Sequence, residues 1–173
     1  YELFMGPFEQ EKPWSTTGIV GVRRFLEKTW RLNEKVTDAV ASQEELRILH
    51  STIAAVTGRL EANEFNTVIS ALMEAANGFS ALSAVSRDTY KTFAVLFSPI
   101  MPFIAEELWE WAGGEGFACQ AAWPKFDASY LVQTEIEYPI QINGKVRARV
   151  ILPATLEKIE EIEAAVREAE QVK

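Results

Sequence analysis

Helical periodicity, cut into five lengths by caps, glycines and prolines, constrains this chain more than any other feature. Thr16 and Thr17 offer caps for a helix from about Gly18 to Lys35. Ile19, Val22, Phe25, Leu26, Thr29, Trp30 and Val36 recur on one arc of it at helical spacing. Ser42-Gln43-Glu44-Glu45 is a capping box that opens a second helix, with Leu46, Leu49, Ile53, Val56 and Leu60 as its core stripe. Phe65-Asn66-Thr67-Val68-Ile69 begins a third, and Asn77-Gly78 supplies its stop, because glycine accepts the left-handed position after a last turn. A fourth runs from around Ser86-Arg87-Asp88 through Tyr90, Phe93, Ala94 and Phe97. Pro99 and Pro102 end it and start a fifth, since proline cannot continue a helix but fits a first turn. Gly113-Gly114-Glu115-Gly116 stops the fifth; without a following Lys-Ser/Thr the run is no phosphate loop. Residues 117–134 read as a connector, anchored onto the helices by Trp123-Pro124.

The pattern then changes period. Asn143-Gly144 between alternating apolar residues signals a two-residue hairpin turn, with strands near 136–142 and 145–152. A period of two puts Lys145, Arg147 and Arg149 on one face of the outgoing strand. Contact with an anionic partner and protection of an edge strand explain these cations equally well. Pro153 ends the strand, and Thr155 caps a last helix with Ile159, Ile162, Val166 and Ala169 on one face. Glu157, Glu160, Glu161 and Glu163 lie mostly outside it, a solvated acidic face. The expected fold is therefore mainly α, a helical bundle followed by a small β-β-α unit. Residues 1–14 read as the remnant of an upstream connecting segment, 15–126 as the bundle, and 127–173 as a small C-terminal unit that further strands would complete.

Charge narrows the function. The 173 residues carry a net charge of −8, which argues against wholesale DNA coating but leaves room for a local basic footprint. Such a footprint stands on the first helix. Arg24, Lys28, Arg31 and Lys35 follow one another at steps of four, three and four, with Glu27 and Glu34 off the line and Arg23 beside it. A ridge of this kind suits phosphates, although a solvated helix face has the same composition. One cysteine, Cys119, excludes an intrachain disulfide and suits a reducing, cytoplasmic compartment. One cysteine and one histidine exclude a metal cluster. No apolar run is long enough to span a bilayer. His50 sits on a core stripe with no nucleophile at triad spacing and reads as a satisfied core residue. Trp30 and Trp109 read as core, whereas Trp14 and Trp123 lie in loops, open to base stacking. No catalytic constellation is visible.

The order of these features resembles the C-terminal part of a bacterial-type leucyl-tRNA synthetase, a class I aminoacyl-tRNA synthetase. Trp14-Ser15-Thr16-Thr17-Gly18 through Phe25-Leu26, then Trp30-Arg31-Leu32, is similar to the start of that family's helical anticodon-binding domain. His50-Ser51-Thr52-Ile53, Phe65-Asn66-Thr67, Met73-Glu74, Ser98-Pro99 to Pro102, Ala105-Glu106-Glu107-Leu108-Trp109 and Trp123-Pro124 follow in the family's order. Valyl- and isoleucyl-tRNA synthetases share much of this bundle, and Asn143-Gly144-Lys145-Val146-Arg147-Ala148 tips the resemblance to the leucyl enzyme. The family's HIGH-like and KMSKS-like motifs for ATP chemistry do not occur here. The resemblance implies a tRNA-binding piece of a leucine–tRNA ligase, inactive alone and holding no cofactor. ATP and magnesium would act in the catalytic domain. Its implied partners are leucine tRNA and the other domains of the same chain, with a monomer expected and neither DNA nor membrane involved. The candidate contacts are Arg24, Lys28 and Arg31, then Arg23 and Lys35, with Lys145, Arg147 and Arg149 as a second patch. Corresponding domains of the valyl or isoleucyl enzymes, or a helical protein–protein module, are the alternatives.

Overall fold

Ser15 is the residue before helix α1 (Thr16–Arg31), but its hydroxyl meets Thr17 Oγ1 at 2.8 Å and makes no cap bond to the backbone. The two threonines expected as caps lie inside the helix. At the other end α1 stops at Arg31, and Leu32–Lys35 form a 3-10 turn, so Lys35 leaves the helix that the spacing assigned it to. Tertiary structure accounts for the early stop. Leu32 is buried, and the two residues after the turn form strand β1 (Val36–Thr37), paired in parallel with β2 (Val85–Ser86). These two-residue strands carry too little alternation to be legible in sequence.

Helix α2 (Gln43–Glu61) begins as its capping box requires, with the Glu45 N–H donating to Ser42 Oγ at 3.1 Å. The box is only half used. The Glu45 side chain is buried, and its carboxylate accepts the N–H of Ser86 at 2.7 Å. Ser86 in turn caps helix α4 (Arg87–Phe97), its hydroxyl accepting the Thr89 N–H at 3.1 Å. One buried carboxylate thus ties the start of α2 to the start of α4.

Helix α3 (Phe65–Ala81) runs straight through Asn77-Gly78, correcting the expected stop. A Cβ on Gly78 would lie 3.0 Å from Ile48 Cδ1 of α2, so this glycine serves close helix approach rather than termination. Pro99 follows α4, and α5 (Pro102–Trp111) opens with Pro102 in its first turn, as expected. Past α5, Gly113 and Gly116 adopt φ of +73° and +69°, and Gly114 lies against the Trp109 ring where a Cβ would not fit.

The core lies where α2, α3, α4 and α5 meet. A run of aromatic contacts crosses it, from Phe79 to Phe93 at 5.2 Å, to Phe97 at 4.8 Å and on to Phe25 of α1 at 5.7 Å. Burying each such side chain stabilises by about 1.5–3 kcal/mol. The N-terminal turn Glu2–Phe4 packs on α3, with Leu3 and Phe4 against the core. The connector is pinned as expected at Trp123, whose Nε1 donates to Thr57 Oγ1 at 2.9 Å. His50 pins it a second time. Its Nδ1 accepts the Asp127 N–H at 3.0 Å, and its ring stacks on Tyr130 at 4.6 Å. This half-buried role corrects the core reading of His50.

The computed structural model describes residues 1–7, 9–131, 135–142, 145–153, 162 and 164–166, in two units, Tyr1–Leu131 and Val132–Lys173. In the second unit β3 (Glu135–Ile142) and β4 (Lys145–Pro153) pair antiparallel, from Glu135 opposite Pro153 to Ile142 opposite Lys145. The register shifts once. Ile140 faces Ala148 and Gln141 faces Val146, which leaves Arg147 without an opposite residue. Such a bulge interrupts the regular pairing of the ladder. The Asn143-Gly144 turn and the Thr155 cap lie outside the described residues, as does most of the last helix; Ile162 and residues 164–166 are helical.

Candidate nucleic-acid interface

The inward face of α1 is set by Phe25 and Thr29, both buried, which turns the opposite side of the helix to solvent. Arg24, Lys28 and Arg31 are exposed there on successive turns. They line one groove of ≈510 Å³ together with Glu27, Leu32, Glu34, Lys35 and Ser80. The two glutamates that stood off the line in sequence therefore belong to the same groove. Glu27 is partly compensated, since Arg23 Nε donates to its Oε1 at 2.8 Å. An exposed pair of this kind contributes little stability, so Arg23 is tied locally but not spent on the fold.

The cations differ in what already holds them. Lys28 Nζ donates to Asn77 Oδ1 on α3. Lys35 is half-buried, and its Nζ donates to the carbonyls of Ser80 at 2.5 Å and Leu82 at 2.7 Å. Those carbonyls end α3, where a cation satisfies orphan acceptors and complements the helix dipole. Arg24 and Arg31 have no hydrogen bond or ion pair among the described residues. Of Lys145, Arg147 and Arg149 the structure describes the backbone, in the other unit.

The tryptophans sort differently from their sequence reading. Trp109 is packed against the core as expected, with Nε1 donating to the Glu115 carbonyl at 3.3 Å. Trp123 is likewise held against the core, partly buried and with its indole N–H bonded. Trp14 is exposed and edge-on to Tyr1 at 5.1 Å. Trp30 is 41% exposed, which overturns its core assignment. It meets Trp111 of α5 edge-to-face at 4.3 Å and 63°. A helical spacing test cannot tell a fully covered position from one at the margin of the apolar arc, and Trp30 is at that margin.

Three further charged groups tie elements of the bundle together. Arg87 Nε donates to Asp38 Oδ1 at 2.6 Å; that hydrogen bond, with the guanidinium charge, holds the Asp38 carboxyl below its usual range. The Glu106 carboxylate accepts the N–H groups of Ala118 at 2.8 Å and Cys119 at 3.1 Å, fastening α5 to the following loop. Burial acts to raise the Glu106 pKa, but these backbone donors outweigh it and the pKa is lowered. Among the described residues no three His, Cys, Asp or Glu side chains gather as a metal site, and no helix is long and apolar enough to cross a membrane.

Residues 42–164 match the family model of the anticodon-binding domain of tRNA ligases. Among similar proteins, a leucine–tRNA ligase of Rhizobium johnstonii is 44% identical over 164 residues, covering 90% of this chain and 20% of the relative. The leucine–tRNA ligase of Rhodopirellula baltica is 40% identical over 176 residues, covering 95% of this chain and 18% of the relative. The chain thus spans about a fifth of the length of the curated relatives it matches. Among solved structures, it is similar to the LeuRS of Agrobacterium radiobacter K84 in a ternary complex with tRNA and LeuAMS. The TM-score is 0.68 and the identity 25%, covering 98% of this chain and 24% of that one. With its helical bundle, the match over residues 42–164 and leucine enzymes as its relatives, the chain belongs to the anticodon-binding domain family of tRNA ligases and matches the leucyl-tRNA synthetases within it.

Proposed function

We propose that this chain holds a leucine tRNA by its sugar–phosphate backbone and so positions it for ATP- and magnesium-dependent aminoacylation in the catalytic part of a leucine–tRNA ligase. The observation that carries the reading is the exposed row Arg24, Lys28 and Arg31, three cations on successive turns around one groove. The relatives are leucine–tRNA ligases, and the solved neighbour is a complex with tRNA. A row of cations suits phosphate contact, which orients a nucleic acid without reading its sequence. In this reading residues 15–126 form the holding bundle, and 127–173 form a C-terminal unit whose Lys145, Arg147 and Arg149 add a second contact. Arg23 is a reserve contact, and Lys35 acts mainly on α3.

Titration of labelled leucine tRNA at low and moderate salt, with the wild type beside the variant Arg24→Glu/Lys28→Glu/Arg31→Glu, tests this. The wild type binds in a salt-sensitive way. The variant loses affinity, and each lost phosphate contact flattens the log–log salt slope by roughly 1. A variant with the wild-type slope removes the row from the interface. Valine and isoleucine tRNAs serve as comparison ligands for the related enzymes.

A further inference from the structure

Trp30 and Trp111 are left more open than a folded chain needs. Trp30 is 41% and Trp111 37% exposed, while Trp109 and Trp123 are packed on the core with their indole N–H groups bonded. The N–H groups of Trp30 and Trp111 have no acceptor among the described residues. Their edge-to-face contact matters, because the ring that offers its edge keeps both its faces clear of the other. Ile104, seven residues before Trp111 on α5, completes an apolar floor on the same stripe.

We propose that the Trp30–Trp111 pair is a stacking platform for one unpaired nucleotide of a bound RNA, with Arg31 holding that nucleotide's phosphate. The proposal rests on the tRNA-holding reading and names one contact within it. The groove beside Trp30 has a volume of ≈370 Å³ and is lined by Arg23, Leu26, Glu27, Trp30, Arg31 and Ile104; Trp111 lies outside this lining and backs Trp30 through the edge-to-face contact. That lies near the lower end of the about 300–1,000 Å³ typical of small-ligand clefts, a size suited to a single nucleotide. Charge selects the occupant. Arg31 lines both this groove and the neighbouring cation-lined one, so a backbone tracked along Arg24 and Lys28 is led to Trp30. Glu27, the acid in the groove, is bonded to Arg23. An exposed aromatic surface bordered by cations is what a splayed base and its phosphate require, whereas a base pair inside a duplex offers no free face. Because every base has a π-face, such a platform adds affinity without reading sequence.

Trp30→Ala and Trp30→Phe, titrated with leucine tRNA and with a fully paired RNA duplex, test the platform. Trp30→Ala should weaken tRNA binding by about 5- to 100-fold, the range of one lost base–aromatic stack, with Trp30→Phe recovering most of it. The salt slope should remain that of the wild type, since no cation is lost, and duplex binding should not change. Trp30→Ala with wild-type tRNA affinity, alongside a failing cation-row variant, overturns the platform and leaves the tRNA reading standing. Equal weakening toward tRNA and duplex overturns it as well, because a structural defect acts on both. A wild type that binds no tRNA removes both proposals. A wild type that dimerises through this face, with dimerisation but not tRNA affinity lost in Trp30→Ala, assigns the face to a second copy. If Trp30→Ala does not fold, 4-thiouridine-substituted tRNA crosslinked to the wild type decides. Adducts at Trp30 or Trp111 support the platform, and adducts confined elsewhere overturn it.

Discussion

The seam between α2 and α3 and the face shared by α1 and α5 are both helix contacts, built from opposite materials. Along α2–α3 the residues are small or fully covered. Gly78 stands against Ile48, while Ala71 and Ala75 line the approach, and Val56 and Leu72 are wholly buried. Along α1–α5 two indoles hold the helices at their own width and stay open to solvent, with Arg31 beside them. Small residues let the two backbones approach closely, and the groove that remains between them, ≈270 Å³, is lined by Ile48, Ala55, Ala71, Ala75 and Gly78 without a ring or a cation. Large rings meeting edge-on leave faces over. The first seam is spent on the fold, and the second retains surface that a ligand can cover.

The sharpest way to break this contrast is to truncate one side chain from each seam. Leu72→Ala, at a position with no exposed area, should cost about 2–5 kcal/mol, since neighbours collapse only partly around the missing atoms. Trp30→Ala, although it deletes more atoms, should cost less, about 1–3 kcal/mol, because about two-fifths of the residue is already in water. Urea unfolding of both variants measures the difference. Equal losses would make the α1–α5 face an ordinary part of the core.

The same contrast explains what was legible in the sequence. Proline, caps and apolar period located α2, α4 and α5, because those signals act within a few residues of the backbone they govern. Gly78 misled because the sequence shows a glycine but not the Ile48 side chain that would meet any Cβ placed there. Glu45 was visible as half of a capping box, yet its carboxylate bonds to Ser86, forty-one positions away. Trp30 fell on the apolar arc, and only the position of α5 decides how much of it is covered. On the candidate site, spacing aligned Arg24, Lys28 and Arg31 correctly on one face. It also drew Lys35 into the line, because a 3-10 turn begun by the burial of Leu32 has no sequence signature of its own.

Lys35 therefore offers a finer test of the division between fold and surface. Lys35→Met keeps the aliphatic stem and removes the ammonium from the Ser80 and Leu82 carbonyls. Loss of this contact at the end of α3 should cost about 1 kcal/mol. Arg31→Met should cost little stability, since its guanidinium has no partner among the described residues. The tRNA salt slopes should divide the other way, unchanged in Lys35→Met and lowered by roughly 1 in Arg31→Met. A lowered slope in Lys35→Met would return that residue to the interface.

Glu106 stands between the two materials, a carboxylate near the surface of α5 that acts on the fold. Its backbone donors, Ala118 and Cys119, favour the charged form strongly enough to overcome the upward pull of burial, so its folded-state pKa lies below the ordinary carboxylate value. A group depressed in this way binds protons more readily unfolded than folded. Its contribution is present in full above the unfolded pKa, about 4.3 for glutamate, and is lost as pH falls through the lower folded value. Glu106→Gln removes that ionisation while keeping one acceptor oxygen for the loop. The stability gap between wild type and variant should thus be largest near neutral pH and shrink as the solution is taken from pH 5 towards pH 2. Urea midpoints across this range measure it, and the effect should be the smallest of the series because the group is open to screening by solvent. A gap that stays constant with pH would mean that the Glu106 side chain holds the loop by shape and neutral hydrogen bonding, with its charge playing no part.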